Sequence, residues 1–136
     1  MKKIIGIASL AIFAAGISSC VKADECTGEI CDASHAYISL ELKDTLNKPY
    51  ILDSYTVTPQ AGGAAVLSKT LDPNTDTTGL YVVLSDTEKS KVTKDGVYFN
   101  FVGKKGGVEV VNQPYRIASD CCHVVIKSGL SILTVK

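Results

Sequence analysis

The chain contains no tryptophan, only two histidines, and no excess of basic over acidic residues. Carbohydrate-binding proteins commonly use exposed aromatic platforms, so the lack of tryptophan counts against that class. With two histidines, acid–base catalysis would depend mostly on carboxylates. The 14 basic residues are matched by 14 acidic ones, and a nucleic-acid partner would normally require a clear basic stripe. The composition therefore argues against a nucleic-acid partner.

Sequence motifs for enzymatic chemistry are also missing. No serine lies in a nucleophile-elbow motif, and no glycine-rich phosphate loop follows a strand and opens a helix. Residues 103–107 are rich in glycine, but this composition is typical of a hairpin loop. The sequence predicts a protein that is not an enzyme.

The N-terminal segment has the features of a targeting sequence. Lys2 and Lys3 precede a mostly apolar run over residues 4–17, which is too short and too abruptly ended for a comfortable membrane span. Residues 17–20, Ile-Ser-Ser-Cys, resemble the lipobox of bacterial lipoproteins. The resemblance implies that residues 1–19 form a cleaved signal peptide and that Cys20 carries a covalent diacylglycerol lipid. No other cofactor is expected.

The same resemblance suggests an address for the protein. Val21 follows the lipid cysteine where an aspartate would imply retention at the inner membrane, so the outer membrane is the expected location, on either its periplasmic or its exposed side. Residues 20–34 are predicted to be the lipidated cysteine and a tether, because they show no apolar periodicity. Residues 35–136 remain for one domain with a hydrophobic core.

Four cysteines remain once Cys20 is assigned to lipid: Cys26, Cys31, Cys121 and Cys122. An even number of cysteines in an exported chain predicts disulfides. Three pairings exist and the sequence does not choose among them, but a bond between Cys121 and Cys122 would be strained. We therefore expect bridges from the 26–31 segment to the 121–122 segment, which would join the first strand to a late one.

The rest of the chain reads as short strands separated by turns. Strands are predicted at 36–43, 51–58, 64–71, 80–84, 97–101, 108–111, 115–118, 122–127 and 130–135. The apolar run 80–84 is typical of a central strand buried on both sides, and Ser128-Gly129 of a two-residue hairpin turn. Ser85 and Glu88 have capping-box spacing, but too few apolar residues follow to favour an ordered helix. This pattern predicts an all-β protein, a single antiparallel β-sandwich of about seven to nine strands.

Two segments resemble known groups of proteins. Residues 38–44, followed by 49–57, resemble the first hairpin of transthyretin-like and immunoglobulin-like modules of exported bacterial proteins. Residues 117–124, followed by Ser128-Gly129, look like the end of small lipoproteins from Gram-negative anaerobes. The resemblance brings no catalytic residues with it.

The sharpest local feature is Cys121-Cys122-His123. On a strand, Cys121 and His123 would share the outward face, and thiolate and imidazole are good ligands for zinc or copper. Cys26 and Cys31 could complete such a site, and His35 could lie near His123. Disulfides are the favoured interpretation, and a metal-binding or redox-active lipoprotein is the alternative.

Asp72, Asn74 and Asp76 place oxygen side chains at alternate positions, as calcium loops do. Thr77 and Val83 occupy the positions where an EF-hand requires glycine and glutamate. An Asx-type turn explains the same residues without an ion. The preferred hypothesis from sequence is thus a non-enzymatic, lipid-anchored accessory or binding module of the cell envelope. Its partners would be the membrane, reached through the lipid, and another envelope protein.

Overall fold

The computed structural model describes Cys26 and residues 28–136. The predicted signal peptide, the predicted lipid site Cys20 and the start of the predicted tether lie outside the described residues. The described part contains eight strands: β1 (Tyr37–Lys43), β2 (Ser54–Pro59), β3 (Leu67–Thr70), β4 (Leu80–Ser85), β5 (Val97–Lys105), β6 (Val108–Ser119), β7 (Val124–Ser128) and β8 (Ile132–Thr134). A short 3₁₀-helix, Asp86–Lys91, lies between β4 and β5.

The strands form two sheets. The smaller has three strands in the order β4-β1-β8, and the larger has five in the order β3-β2-β5-β6-β7. Neighbouring strands are antiparallel except β1 and β8, which run parallel. Buried side chains from both sheets form one core. The prediction of an all-β sandwich is confirmed.

Alternation of apolar and polar residues accounts for the strands that face this core. In β1, Ile38, Leu40 and Leu42 are buried, while the residues between them are less so. In β2, Tyr55 and Val57 are buried in the same way. Successive side chains of a strand point to opposite faces, so this pattern leaves one apolar face on each strand to pack inward.

Three aromatic rings connect the two sheets. Tyr55 stacks on Phe101 of its own sheet, with ring centroids 5.0 Å apart. Tyr55 also meets Tyr81 of the smaller sheet edge-on at 5.6 Å. Offset and edge-to-face arrangements are those that aromatic pairs prefer, so these contacts favour one fixed packing of the sheets.

The segments 108–111 and 115–118 were predicted as two strands, and this is wrong: they belong to the single strand β6. Pro114 lies inside it, opposite Asn100 of β5. Proline has no amide hydrogen and is tolerated where a strand has a free side. β7 pairs with β6 only from Arg116 onward, so Pro114 lies where that side of β6 has no β7 partner.

The predicted hairpin at Ser128-Gly129 is also wrong, because β7 and β8 belong to different sheets. Gly129 has φ +137°, and a Cβ there would lie 2.2 Å from a ring atom of Tyr115. The Tyr115 hydroxyl donates a hydrogen bond to the carbonyl of Leu130. Glycine thus lets the chain cross closely over the Tyr115 ring from one sheet to the other.

The prediction that residues 80–84 form a central strand is wrong as well, since β4 lies at the edge of the smaller sheet. Leu80 and Val82 are 51% and 37% exposed. The amide of Leu80 donates to the Thr78 hydroxyl at 3.3 Å. The Tyr55 phenol is hydrogen-bonded to the backbone of Val82. Side chains therefore satisfy polar groups of the edge strand where a central strand would have a second neighbour.

The capping box predicted at Ser85 and Glu88 is present, although no ordered helix was favoured there. Ser85 accepts a hydrogen bond from the amide of Thr87, and the Glu88 carboxylate accepts one from the Ser85 amide at 3.0 Å. The helix that follows is a six-residue 3₁₀-helix without buried residues. 3₁₀-helices commonly occur as short connectors, and this one joins β4 to β5 with a capping box and no buried face, which explains the difference from the prediction. Among the described residues, no helix is long and apolar enough to cross a membrane.

Candidate functional site: the disulfide end of the sandwich

Two disulfides cross-link the chain at one end of the sandwich. Cys26 bonds to Cys121 and Cys31 bonds to Cys122, with sequence separations of 95 and 91 residues. The prediction that the 26–31 segment is bonded to the 121–122 segment is confirmed. We call this region the disulfide end and define it as Cys26 and residues 28–37, 85–96 and 119–124.

The disulfides do not join strand to strand as predicted. Cys31 precedes β1, and residues 121–123 form a bend before β7, which begins at Val124. The predicted strand 122–127 therefore starts two residues too early. The argument that Cys121 and His123 share one strand face does not apply to a bend.

Asp120 shapes this bend. Its carboxylate accepts hydrogen bonds from the amides of Cys122 and His123. These bonds hold the pKa of Asp120 below its ordinary value, and the bond from the His123 amide has the larger effect. The amide of Asp120 in turn donates to the carbonyl of His123 at 3.0 Å. The two cysteines and the histidine are thus fixed by one aspartate that precedes them.

The His123 imidazole lies between two carboxylates from different parts of the chain. Its Nδ1 is 2.7 Å from Oδ2 of Asp86, at the start of the 3₁₀-helix. Its Nε2 is 3.2 Å from Oδ1 of Asp32, in the segment before β1. An imidazolium can donate to both, so the charged form of His123 links three separate segments.

Asp86 is the better enclosed of the two carboxylates, with its side chain 13% exposed against 73% for Asp32. It accepts hydrogen bonds from the amides of Ala36 and Val124, both at 2.8 Å. Burial by itself would raise the pKa of Asp86, but the bonds from His123 and these two amides lower it to about 2. Asp86 is therefore ionised wherever the protein is folded at ordinary pH.

The pKa of His123 is raised from its ordinary value, chiefly by the hydrogen bond to Asp86 and further by Asp32. The pKa of Asp32 is lowered, chiefly by hydrogen bonds from the hydroxyl and amide of Ser34 and then by His123. Two more charged groups face this cluster: the Asp120 carboxylate and Lys89, whose Nζ donates to the carbonyl of Cys121. The arrangement favours a positive imidazole held by anionic neighbours.

The residues predicted to bind a metal are not assembled for it. Cys121 is part of a disulfide and has no thiolate to offer. Both ring nitrogens of His123 contact carboxylates. His35 is exposed, and the residue after it, Ala36, donates its amide to Asp86, the same carboxylate that His123 contacts. Across Cys26 and residues 28–136, no group of three or more histidine, cysteine, aspartate or glutamate side chains could hold a metal ion.

The predicted calcium ligands form an Asx-type turn. The Asp72 carboxylate accepts from the amide of Asn74 at 2.9 Å, and the Asp76 carboxylate accepts from the amide of Asp72 at 2.9 Å. The Asn74 side chain donates to Asp72 as well. These oxygens accept hydrogen bonds from groups of the turn itself, which agrees with the Asx-type turn given as the alternative in the sequence analysis.

The opposite end of the sandwich, which we call the turn end, comprises residues 44–53, 71–79 and 104–108. Tyr81 joins it to the core: its hydroxyl accepts from the amide of Leu52 at 2.9 Å and donates to the carbonyl of Tyr50 at 2.8 Å. A cleft of about 60 Å³ lies between the edges of β3 and β4. Sites for small organic ligands typically measure about 300–1,000 Å³, so this cleft is too small for one.

Sequence reasoning missed three residues of the disulfide end: Asp32, Asp86 and Asp120. Signals for two of them were present. Asp86 follows the capping-box serine, which places it at the first position of the helical turn. Asp32 follows Cys31 and His123 follows Cys122, so the bond between those cysteines brings the carboxylate and the imidazole together.

Comparison with known proteins gave no match among protein families, curated proteins or solved structures. The fold and the disulfide end are therefore described from their own geometry.

Proposed function

We propose that this chain is a cell-envelope lipoprotein, anchored by lipid on Cys20, whose β-sandwich acts as a non-enzymatic accessory or binding module. The observation that carries the proposal is the pair of disulfides, Cys26–Cys121 and Cys31–Cys122. Disulfides persist in oxidising compartments such as the periplasm and the cell surface. The lipobox-like residues before Cys20 would direct the chain to that environment.

The disulfide end supports a structural role rather than a catalytic one. A histidine acting as a general base needs a ring nitrogen free to accept a proton. Both ring nitrogens of His123 are instead engaged by Asp86 and Asp32, and its raised pKa favours the protonated form. The cluster connects chain segments and does not present a poised base.

The turn end is the surface we assign to an envelope protein partner. Leu46 and Val108 are 73% and 65% exposed there. Lys105 lies over the Tyr50 ring, with its Nζ 4.3 Å from the ring centroid. Aromatic residues are enriched at protein interfaces, and binding residues often lie on loops held by a rigid scaffold. The loops rest on the sheets, so binding would require little rearrangement.

Intact mass of the protein purified from membranes tests the anchor and the cysteines together. We expect a diacylglycerol adduct that disappears in Cys20→Ser, and thiols that react with an alkylating reagent only after reduction. Free thiols accompanied by a bound metal ion would contradict the proposal and support the metal-binding alternative instead.

Cross-linking in intact cells tests the binding role. We expect one stoichiometric envelope partner, lost when Leu46 and Val108 are both changed to glutamate. Ile132→Glu is the matched control, because Ile132 is a comparably exposed apolar residue, 52% exposed, on β8. The absence of any partner, or equal loss in the control, would contradict the assignment of the turn end.

A further inference from the structure

We propose that the disulfide end of the sandwich rests against the lipid headgroup surface, with Ile30 as its apolar contact, so that the turn end projects away from the membrane. This inference rests on the proposed lipidation of Cys20. It adds a fixed orientation of the domain and a named contact surface for the bilayer.

Chain length brings the disulfide end close to the lipid. Cys26 follows Cys20 by six positions, and six residues span at most about 20 Å when fully extended. Cys26 is bonded to Cys121, so the same distance limits how far the folded domain lies from Cys20. The headgroup layer and the disulfide end must then lie within that distance of each other.

Ile30 is placed to make the contact. Its side chain is 95% exposed, the largest exposed fraction among the large apolar residues described. It directly precedes Cys31, which is bonded to Cys122. Isolated apolar residues on a surface are ordinary. This one, however, lies between two cysteines that are both fixed to the body, next to the proposed lipid.

Tyr37 adds an interfacial residue at the same end. It is the first residue of β1 and is 60% exposed. Tyrosine is favoured at membrane interfaces because its ring is apolar and its hydroxyl is hydrated. Ile30 and Tyr37 belong to the same end as the proposed anchor, whereas the exposed residues Leu46 and Val108 belong to the turn end.

The charges near Ile30 do not favour an anionic surface. Glu29 and Asp32 are exposed neighbours in sequence, while Lys89 and Lys91 lie on the 3₁₀-helix. Acidic and basic groups are mixed, so the proposed contact depends on apolar insertion beside the anchor. It is expected in vesicles without net charge.

The length of the sandwich separates the two ends. β6 runs from Val108 at the turn end to Ser119 at the disulfide end, a strand of 12 residues. At about 3.3 Å per residue, the first and last residues of this strand lie roughly 36 Å apart. A reporter at Val108 therefore lies much farther from the headgroups than one at Ile30 if the disulfide end is the contact.

The absence of tryptophan allows a direct test, because a single introduced tryptophan is the only one in the chain. Lipidated mature protein (residues 20–136) carrying Ile30→Trp or, as the matched control, Val108→Trp is reconstituted into phosphatidylcholine vesicles that contain dansyl-labelled phosphatidylethanolamine. Energy transfer from tryptophan to dansyl headgroups is measured, with the same proteins in detergent as the baseline.

We expect transfer several-fold higher from Ile30→Trp than from Val108→Trp, together with a blue-shifted emission from Ile30→Trp alone. Equal or reversed transfer, with the lipid confirmed by mass, would overturn the orientation and leave the proposed anchor intact. Protein that carries no lipid by mass and does not float with vesicles would overturn both the anchor and this inference.

Discussion

The disulfide end and the turn end bring distant chain segments together by different means. At the disulfide end, two covalent bonds and the ion pairs of His123 connect the segment before β1, the 3₁₀-helix and the bend before β7. Few large side chains are buried there: the 3₁₀-helix has no buried residue. Bonds and charges at this end add to the packing of Val92 and Val124, which are its buried apolar residues.

The turn end depends on packing and neutral hydrogen bonds. Leu52 is fully buried, and Gly103 lies directly beneath it, since a Cβ on Gly103 would come within 2.6 Å of Leu52 Cδ1. The Tyr81 hydroxyl connects the backbone on either side of residue 51. The Asp53 carboxylate accepts from the amide of Gly106 and thereby connects two loops.

The difference between the ends predicts how each responds to conditions. Reductant acts on the two disulfides, and pH acts on His123 and on the carboxylates whose pKa values it helps to lower. All of these groups lie at the disulfide end. Cavity-forming substitutions act on buried apolar groups such as Leu52 of the turn end, which lies away from the cysteines. Each of the following variants addresses one end.

Removal of both disulfides should have the largest effect. Each bridge alone closes a loop of more than 90 residues. Once one bridge is present, the second closes only a small ring. By loop entropy we expect replacement of all four cysteines by serine to cost about 7 kcal/mol of unfolding free energy, and removal of a single bridge about 2.5 kcal/mol. Urea unfolding of the three variants measures this. If removal of one bridge cost as much as removal of both, the explanation that the second bridge closes only a small ring would be contradicted.

Leu52→Ala should have the next largest effect, at the turn end. It removes a fully buried side chain above Gly103, and we expect a loss of about 3 kcal/mol. Leu46→Ala, at an exposed position of the same end, is the matched control and should change stability by less than about 0.5 kcal/mol. Urea unfolding with reductant present and absent should give the same loss, because the defect lies away from the cysteines.

Tyr81→Phe keeps the ring and removes only the hydroxyl. The amide of Leu52 and the carbonyl of Tyr50 then lose their partner, which should cost about 1–2 kcal/mol. Tyr98→Phe is the control, since Tyr98 is 51% exposed and its ring contact with Arg116 remains. Equal stability of Tyr81→Phe and wild type in thermal unfolding would show that the hydroxyl does not stabilise the turn end.

His123→Gln should have the smallest effect and the clearest pH dependence. The folded-state pKa of His123 is raised, so its stabilisation is complete below the ordinary histidine value of 6.5 and is lost as the pH rises through the raised pKa. The gap in unfolding free energy between wild type and His123→Gln should therefore be larger near pH 5 than near pH 9. His35→Gln is the control, and an equal gap at both pH values would contradict the ion-pair explanation.

The stabilisation that Asp86 contributes to the same cluster depends on pH in the opposite direction. Its folded-state pKa is lowered to about 2, so its stabilisation is present above the ordinary value of 3.8 and is lost as the pH falls toward 2. The ion pairs of the disulfide end should thus stabilise it most at pH values above the ordinary aspartate pKa and below the raised pKa of His123.

The sequence predicted well what depends on local periodicity. Periodicity predicted strands at 36–43 and 51–58, where β1 and β2 lie. The even cysteine count, with the strain of a Cys121–Cys122 bond, predicted the cross-linked segments. Both signals are readable because they use spacing along one segment or the chemistry of one residue type.

What the sequence did not predict depends on partners far along the chain. β8 pairs in parallel with β1, about 90 residues earlier, and no local turn signal encodes that choice. The run 80–84 was predicted to be central because it is apolar, yet β4 pairs with β1 alone and lies at the edge of its sheet. The contact of His123 with Asp86 likewise requires the fold, since 37 residues separate them.

If the chain is exported as we propose, the positions of its cysteines set the order in which they leave the membrane channel. A chain exported from its N-terminus presents Cys26 and Cys31 early, while Cys121 and Cys122 emerge only after about 90 further residues. The first two thiols therefore meet each other long before their final partners arrive. Correct oxidation then needs either a delay or a later exchange of a premature Cys26–Cys31 bond, so maturation of this domain should depend on thiol–disulfide exchange in its compartment.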